Sequence, residues 1–124
     1  MREIIYRGKR KDTGDLIAGN SILQYNGVIK LWDKENGFIE IEPETIGQYT
    51  GLNDKNGKKI FEGDIVRYSG EEHVVVFETR NETGYFGIKI DHIETWGFCA
   101  SVPAKLMEVI GNIHDNPELA EGLL

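Results

Sequence analysis

Apolar and polar residues alternate over short stretches of this chain, and glycine-rich turns separate the stretches. Residues 85–91 show the pattern clearly, because Phe86, Ile88 and Ile90 occupy every second position, as in a half-buried strand. Residues 74–77 form a continuous apolar run, which favours a strand that is buried on both faces or passes between two cores. The pattern therefore predicts a β-dominated domain built from short strands.

Asn-Gly pairs divide the N-terminal region into a predicted β meander. Asn-Gly supplies the two positive φ angles of a type I′ turn, so it is a strong hairpin signal. Asn26-Gly27 and Asn36-Gly37 predict hairpins between the apolar runs 21–25, 28–32 and 38–41. A third pair, Asn56-Gly57, lies in a polar loop.

The remaining strands lie on either side of this meander. Two are expected to pair across a turn at residues 12–14, namely 4–9 and 16–18. Five more are expected to form one small antiparallel barrel, namely 46–50, 64–68, 73–78, 85–91 and 107–114. Residues 104–107 suit one helical turn. Asn116 as N-cap and Pro117 at the first helical position predict a short helix that must dock on its own barrel or on a neighbouring subunit.

The expected fold class is mainly β, a β-rich α+β arrangement. It comprises a small antiparallel SH3-like or complex β-barrel with an N-terminal β meander and a short C-terminal helix. Residues 1–43 form the meander, 44–115 the barrel and 116–124 the helix. The meander is expected to pack on the barrel or on a neighbouring subunit, because its large apolar residues are too few for a core of their own. These residues are Ile22, Leu23, Val28, Leu31, Trp32, Phe38 and Ile41.

Length and composition are those of one soluble domain. The chain has 124 residues, of which 40% are hydrophobic and 28% charged, so neither wholesale disorder nor a membrane span is expected. Cys99 is the only cysteine, which rules out an intramolecular disulfide framework. The N-terminus lacks the apolar stretch of a signal peptide. A cytoplasmic location is expected.

The net charge of −7 is unevenly distributed. The first eleven residues carry +4, which leaves −11 for the rest of the chain. One interpretation is an edge strand whose basic residues discourage aggregation. A second is contact with nucleic acid, and a third is contact with the acidic body of another subunit. The basic residues concerned are Arg2, Arg7, Lys9, Arg10 and Lys11.

No catalytic or metal-binding motif emerges from the residue spacings. Residues 53–57 superficially resemble a calcium loop, but Leu52 and Gly63 would fall at positions that need an oxygen ligand. The three histidines, His73, His92 and His114, are expected at strand ends on the surface, and Cys99 is expected to be a small buried hydrophobe. We expect no catalytic residues, no cofactor and no metal, and we expect that the protein is not an enzyme.

Three segments of the chain carry a recognisable signature: ETIGQYTGLNDKNGKKIFEGDIV (44–66), REIIYRGK (2–9) and VIGNIHDNPEL (109–119). Together they resemble the YopX family, small proteins encoded by phages and prophages of bacteria. The resemblance implies a β-rich fold around a barrel and the cytoplasm of a bacterial host cell, but it brings no activity and no functional residues. The piece EGDIV (62–66) also resembles the turn-into-strand of SH3-like barrels.

Two functions from different classes are therefore expected. The first is a phage or prophage accessory protein of unknown biochemical function, a non-enzymatic protein–protein interaction module that self-associates, with an unidentified host or phage protein as a further partner. The alternative is a nucleic-acid-binding β-barrel that uses the five basic N-terminal residues. An enzyme that uses Cys99 or the histidines ranks below both, because it needs a concave pocket holding at least two of these side chains. No membrane partner is expected.

Overall fold

The fold was analysed in a computed structural model, which describes residues 3–80, 82–91 and 94–123. Strands make up 56% of it, and the described residues contain one short α-helix, so the predicted mainly β fold class is confirmed. The sheets are antiparallel and curl as a half-barrel. The elements are β1 (Tyr6–Lys9), β2 (Leu16–Gly19), β3 (Ile22–Tyr25), β4 (Val28–Asp33), β5 (Gly37–Ile41), β6 (Gly47–Asn53), β7 (Lys59–Phe61), β8 (Asp64–Tyr68), β9 (Glu71–Arg80), β10 (Thr83–Lys89), β11 (Thr95–Gly97), β12 (Glu108–Asn112) and α1 (Pro117–Ala120), with 3-10 turns at Pro43–Thr45 and Ala104–Leu106.

The chain divides into two compact units, Met1–Tyr49 and Thr50–Leu124. In the first unit, β1 pairs with β2 and with the start of β6, and β3, β4 and β5 form the predicted meander. The backbone of residues 9–11 continues the pairing alongside β5, because Lys11 N–H donates to Glu40 O and Glu42 N–H donates to Lys9 O.

The core of the first unit lies on one face of the meander. Ile29 and Leu31 of β4 and Ile39 and Ile41 of β5 are buried, because the side chains of alternate residues share a face. Gly8 of β1 lies directly against this layer, and a Cβ atom there would collide with Ile41 Cγ2.

Turn geometry in the first unit confirms one hairpin signal and corrects the other. Asn26 and Gly27 have φ values of 47° and 76°, which are the two positive angles of a type I′ turn. At the next hairpin, Asp33 pairs with Gly37, and only Gly37 has a positive φ. The prediction of a two-residue turn at Asn36-Gly37 was therefore wrong, because three residues form the loop and the glycine follows it.

In the second unit, five strands form an antiparallel sheet in the order β11, β10, β9, β8, β12. β8 pairs with β9 as predicted, through a two-residue turn in which Ser69 and Gly70 both have positive φ. One face of the sheet covers a core centred on Val66, Val75, Ile88 and Met107. Ile65 and Val74 point to the opposite face and form a second cluster with Ala120 of α1. The α-helix therefore docks on its own sheet.

The prediction of the barrel was wrong about which strands it contains. The strand predicted over 46–50 pairs with β1 and does not join the five-stranded sheet, whose fifth member is the unpredicted β11. β7 was also unpredicted. Both missed strands have only three residues, too few to show a period. The predicted helix over 116–124 is shorter than expected, because only Pro117–Ala120 is α-helical.

Candidate interaction surface

The face of the meander opposite its core carries four large exposed apolar side chains, with Lys30 and Glu40 on the same face. Leu23, Tyr25, Trp32 and Phe38 lie on this outer face and are 41%, 45%, 43% and 45% exposed. The strand register brings these side chains together. Trp32 is directly opposite Phe38, and Leu23 is diagonal to Trp32 because it is opposite Lys30. Tyr25 lies two residues from Leu23 on the same face of β3. We call these four side chains the outer apolar patch.

Contacts within the patch hold its aromatic rings in defined positions. The Trp32 and Phe38 rings meet edge to face, with their centroids 5.2 Å apart. Lys30 Nζ lies 5.6 Å from the centroid of the Tyr25 ring, and the hydrogen bond between these side chains raises the pKa of Lys30. The patch is thus a platform of large side chains, the kind of surface that marks protein–protein contacts.

An uncharged sheet edge borders this patch. All four residues of β3 are exposed, and residues 20–27 include no Lys, Arg, Asp, Glu or Pro. β3 ends the three-stranded sheet, with no described strand on its far side. Natural edge strands usually carry charge or proline, which discourage pairing with another chain. This edge carries neither.

The basic N-terminal segment is partly neutralised by the chain itself. Arg10 binds Asp12 through two hydrogen bonds, from Nε to Oδ1 (3.0 Å) and from Nη2 to Oδ2 (2.9 Å). Lys11 Nζ lies 3.1 Å from Glu40 Oε2. Hydrogen bonds to these carboxylates raise the pKa of Arg10 and Lys11. Arg7 and Lys9 lie in β1, and Arg2 is outside the described residues.

The residues considered for catalysis lie on separate elements. His73 is buried within β9, with Nδ1 3.2 Å from Lys89 O, and Cys99 is exposed after β11, where it forms an isolated β-bridge with Val102. Both placements correct the sequence predictions. Strand β9 begins two residues before His73, and the turn at 99–102 directs Val102, not Cys99, towards the core. His114 lies half-buried in the turn after β12, and His92 is outside the described residues.

A concavity beside β10 and β11 is lined by Tyr85, Glu78, Thr95 and Cys99, among others, but by neither His73 nor His114. Among the described residues, no group of three or more His, Cys, Asp or Glu side chains could hold a metal ion.

Asp54 organises the loop that carries the most specific part of the sequence signature. Its Oδ1 accepts the amides of Asn56 (2.8 Å) and Lys58 (2.9 Å), and its Oδ2 accepts the amide of Val109 (2.9 Å) at the start of β12. Burial raises the pKa of Asp54, but these amides outweigh burial and hold the pKa below its usual value. Both carboxylate oxygens are thus used to join the loop to a strand.

Other glycines and acids of the signature differ in role. Asp64 is buried, and its Oδ2 accepts the Phe61 amide at 2.8 Å at the turn that leads into β8. Gly51 and Gly63 have positive φ, whereas Gly47 lies in β6 opposite Arg7. At Asn56-Gly57 only the glycine has positive φ.

From the sequence, Leu23, Trp32 and Phe38 were expected to pack against another part of the protein or a neighbouring subunit. The same expectation covered Leu31 and Ile41, which are fully buried in the core of the first unit, so the exposed residues were not distinguished from the buried ones. Strand alternation contained that signal, because Trp32 and Leu31 are adjacent and must face opposite ways. The structural role of Asp54 was missed. The signal for it is the Asp-x-Asn-Gly turn pattern, in which the aspartate bonds amides ahead of it.

The fold and this surface define a small, mainly β protein with four large apolar side chains exposed on one sheet face. The family model described as YopX protein matches residues 5–121, so the chain belongs to the YopX family. The chain is also similar to the crystal structure of protein EF1440 from Enterococcus faecalis, with a TM-score of 0.55 and 24% identity over 96% of this chain and 99% of that one. This likeness concerns the fold. No curated protein matches the chain significantly. None of the described helices is long and apolar enough to cross a membrane.

Proposed function

We propose that this chain is a phage- or prophage-encoded accessory protein that acts in the bacterial cytoplasm as a non-enzymatic protein–protein interaction module and self-associates. The observation that carries the proposal is the outer apolar patch, in which four large side chains more than two-fifths exposed lie on one sheet face. Such a patch is costly to leave in water, and its burial by a second chain removes that cost.

The distribution of charge supports self-association through the first unit. Residues 1–49 contain seven basic and eight acidic residues, for a net charge of −1, which leaves −6 for residues 50–124. Contact between two copies of the second unit would bring together two net charges of −6, whereas contact between two copies of the first would bring together two net charges of only −1.

Light scattering after size-exclusion chromatography tests the proposal. At about 50 µM we expect a molar mass that is a multiple of 14.0 kDa, because micromolar affinity suffices for association at this concentration. Replacing Trp32 and Phe38 together by Lys should return the mass to that of the monomer. The matched control is Leu106→Lys, which changes a more exposed leucine (63%) in the second unit and should leave the mass unchanged.

Nucleic-acid binding through Arg2, Arg7, Lys9, Arg10 and Lys11 is the second proposal. It ranks below self-association because Arg10 and Lys11 already contact carboxylates, which a phosphate would have to displace. Fluorescence anisotropy with labelled single- and double-stranded DNA and RNA tests it. Binding that weakens steeply with salt and disappears when Arg7 and Lys9 become Gln would support it, and no binding at low salt would remove it.

A further inference from the structure

We propose that the β3 edge pairs antiparallel with the β3 edge of a second copy, with Leu23 on the two-fold axis, so that two meanders form one six-stranded sheet. This inference rests on the proposed self-association and specifies its geometry. A short antiparallel edge is self-complementary, because a two-fold rotation places donors opposite acceptors.

The hairpin at Asn26-Gly27 determines which backbone groups of β3 face outwards. Tyr25 and Val28 flank a two-residue loop, so they form a hydrogen-bonded pair, and such pairs alternate along the hairpin. Consistent with this alternation, Trp32 N–H donates to Ser21 O at 3.0 Å. Leu23 and Tyr25 therefore bond to β4, and the N–H and C=O groups of Ile22 and Gln24 point away from the sheet.

The register follows from using all of these outward groups. With Leu23 opposite Leu23 of the second copy, Ile22 of each copy lies opposite Gln24 of the other, and both pairs exchange two hydrogen bonds. A register centred on Gln24 would place Ile22 opposite Asn26, which lies in the turn with φ of 47° and is not extended. Of these two registers, only the one centred on Leu23 pairs the outward groups of both Ile22 and Gln24 with extended backbone.

The same register partly covers the outer apolar patch. Tyr25 of one copy comes opposite Ser21 of the other, and Ser21 is followed across the sheet by Trp32 and then Phe38. Because serine is small, the Tyr25 ring can lean over it towards the partner copy's indole. Two such aromatic rows form by symmetry, one on either side of the Leu23 pair.

Competing edges of the first unit are less suitable. The other sheet of this unit ends at β2, but β4 approaches β2 so closely that a Cβ atom at Gly19 would collide with the Trp32 carbonyl oxygen. β5 is occupied on its other side by the backbone of residues 9–11. Among the described strands of the unit, β3 therefore offers the most accessible edge.

Cysteine cross-linking tests the register directly. In an antiparallel pair without mutual hydrogen bonds, opposing Cα atoms lie about 4.5 Å apart, which is within the range that a disulfide spans. In a Cys99→Ser background, Leu23→Cys should form at least about ten times more disulfide-linked dimer in a glutathione buffer than Gln24→Cys or Leu106→Cys. Gln24→Cys is the matched control. Gln24 lies on the same edge, but in the proposed register it is opposite Ile22 of the second copy and only diagonal to the second copy's Gln24.

The outcomes separate this inference from the proposed function. Equal cross-linking at positions 23 and 24, or none at either in protein whose reduced form keeps an oligomeric mass, would overturn the β3 pairing and leave self-association standing. A monomeric wild type would overturn both. NMR amide exchange of the wild type provides a second test, which does not depend on the folding of a variant. The Ile22 and Gln24 amides should exchange at least about tenfold more slowly at high protein concentration than at low concentration. The change at Leu23 and Tyr25 should be smaller. Unchanged exchange at Ile22 and Gln24 would also overturn the inference.

Discussion

Replacing Asp54 removes the acceptor that joins the signature loop to β12. In Asp54→Asn, one amide oxygen can still accept the Asn56 and Lys58 amides, but the new NH₂ group faces the Val109 amide, which is itself a donor. Hydrogen bonds to charged groups contribute about 1.5–3 kcal/mol each, so the loss of one bond and the weakening of two should cost about 2–4 kcal/mol. This is a large share of the ~5–15 kcal/mol stability of a typical domain.

Urea unfolding followed by tryptophan fluorescence measures this loss at pH 7. The matched control is Asp33→Asn in the first unit, where the carboxylate accepts the Glu35 amide at 2.7 Å within an exposed turn that asparagine can also form. We expect the control to unfold at nearly the same urea concentration as the wild type. An Asp54→Asn protein as stable as the wild type, or an equal loss in the control, would refute the role assigned to Asp54.

The pH dependence of the same variant gives an independent check. The pKa of Asp54 is lowered on folding, so its ionised form is the one that stabilises the fold. Its contribution is fully present above the ordinary aspartate pKa and is lost as the pH falls through the lowered value. The stability difference between wild type and Asp54→Asn should therefore be constant from pH 7 to 5 and shrink below pH ~4. A difference that grows on acidification would contradict the assignment.

Two glycine substitutions test the first unit. Gly8→Ala places a methyl group against Ile41 Cγ2 in the core layer and should lower the free energy of unfolding by about 1–3 kcal/mol. Thermal unfolding measures this loss, and an unchanged Tm would mean that β1 does not pack as described. In Gly27→Ala the new methyl group meets no neighbouring atom, but the φ of 76° strains an alanine, so the free energy of unfolding in urea should fall by about 1 kcal/mol. Asn26→Gly should lower it by less. The reverse order would contradict the type I′ turn.

Local patterns predicted those elements whose signals are local. Alternation and the Asn26-Gly27 turn gave the meander, and the strands at Asp64–Tyr68 and 73–78 were found because apolar residues there are dense. The partner of β6 was not predictable from spacing, since its pairing with β1 joins residues about forty positions apart. β11 is too short to show a period. Non-local pairing, not propensity, thus decided the partner of β6.

The candidate surface was partly predictable for a similar reason. Sequence identified Leu23, Trp32 and Phe38 as needing a cover, but their separation from Leu31 depends on which face of the meander meets the core. His73 illustrates the same limit, since its burial follows from the length of β9 and its contact with the Lys89 carbonyl. The role of Asp54 depends on Val109, which lies 55 residues further along the chain.

Sedimentation equilibrium of the wild-type protein across a concentration series tests self-association most directly. The account predicts a molar mass that rises from that of the monomer, 14.0 kDa, towards a multiple of it as concentration increases into the tens of micromolar. In the protein with Trp32 and Phe38 both replaced by Lys, the mass should stay at the monomer value throughout. A wild-type mass of 14.0 kDa at every concentration up to about 100 µM would contradict the proposal that this YopX-family protein works by association through its meander.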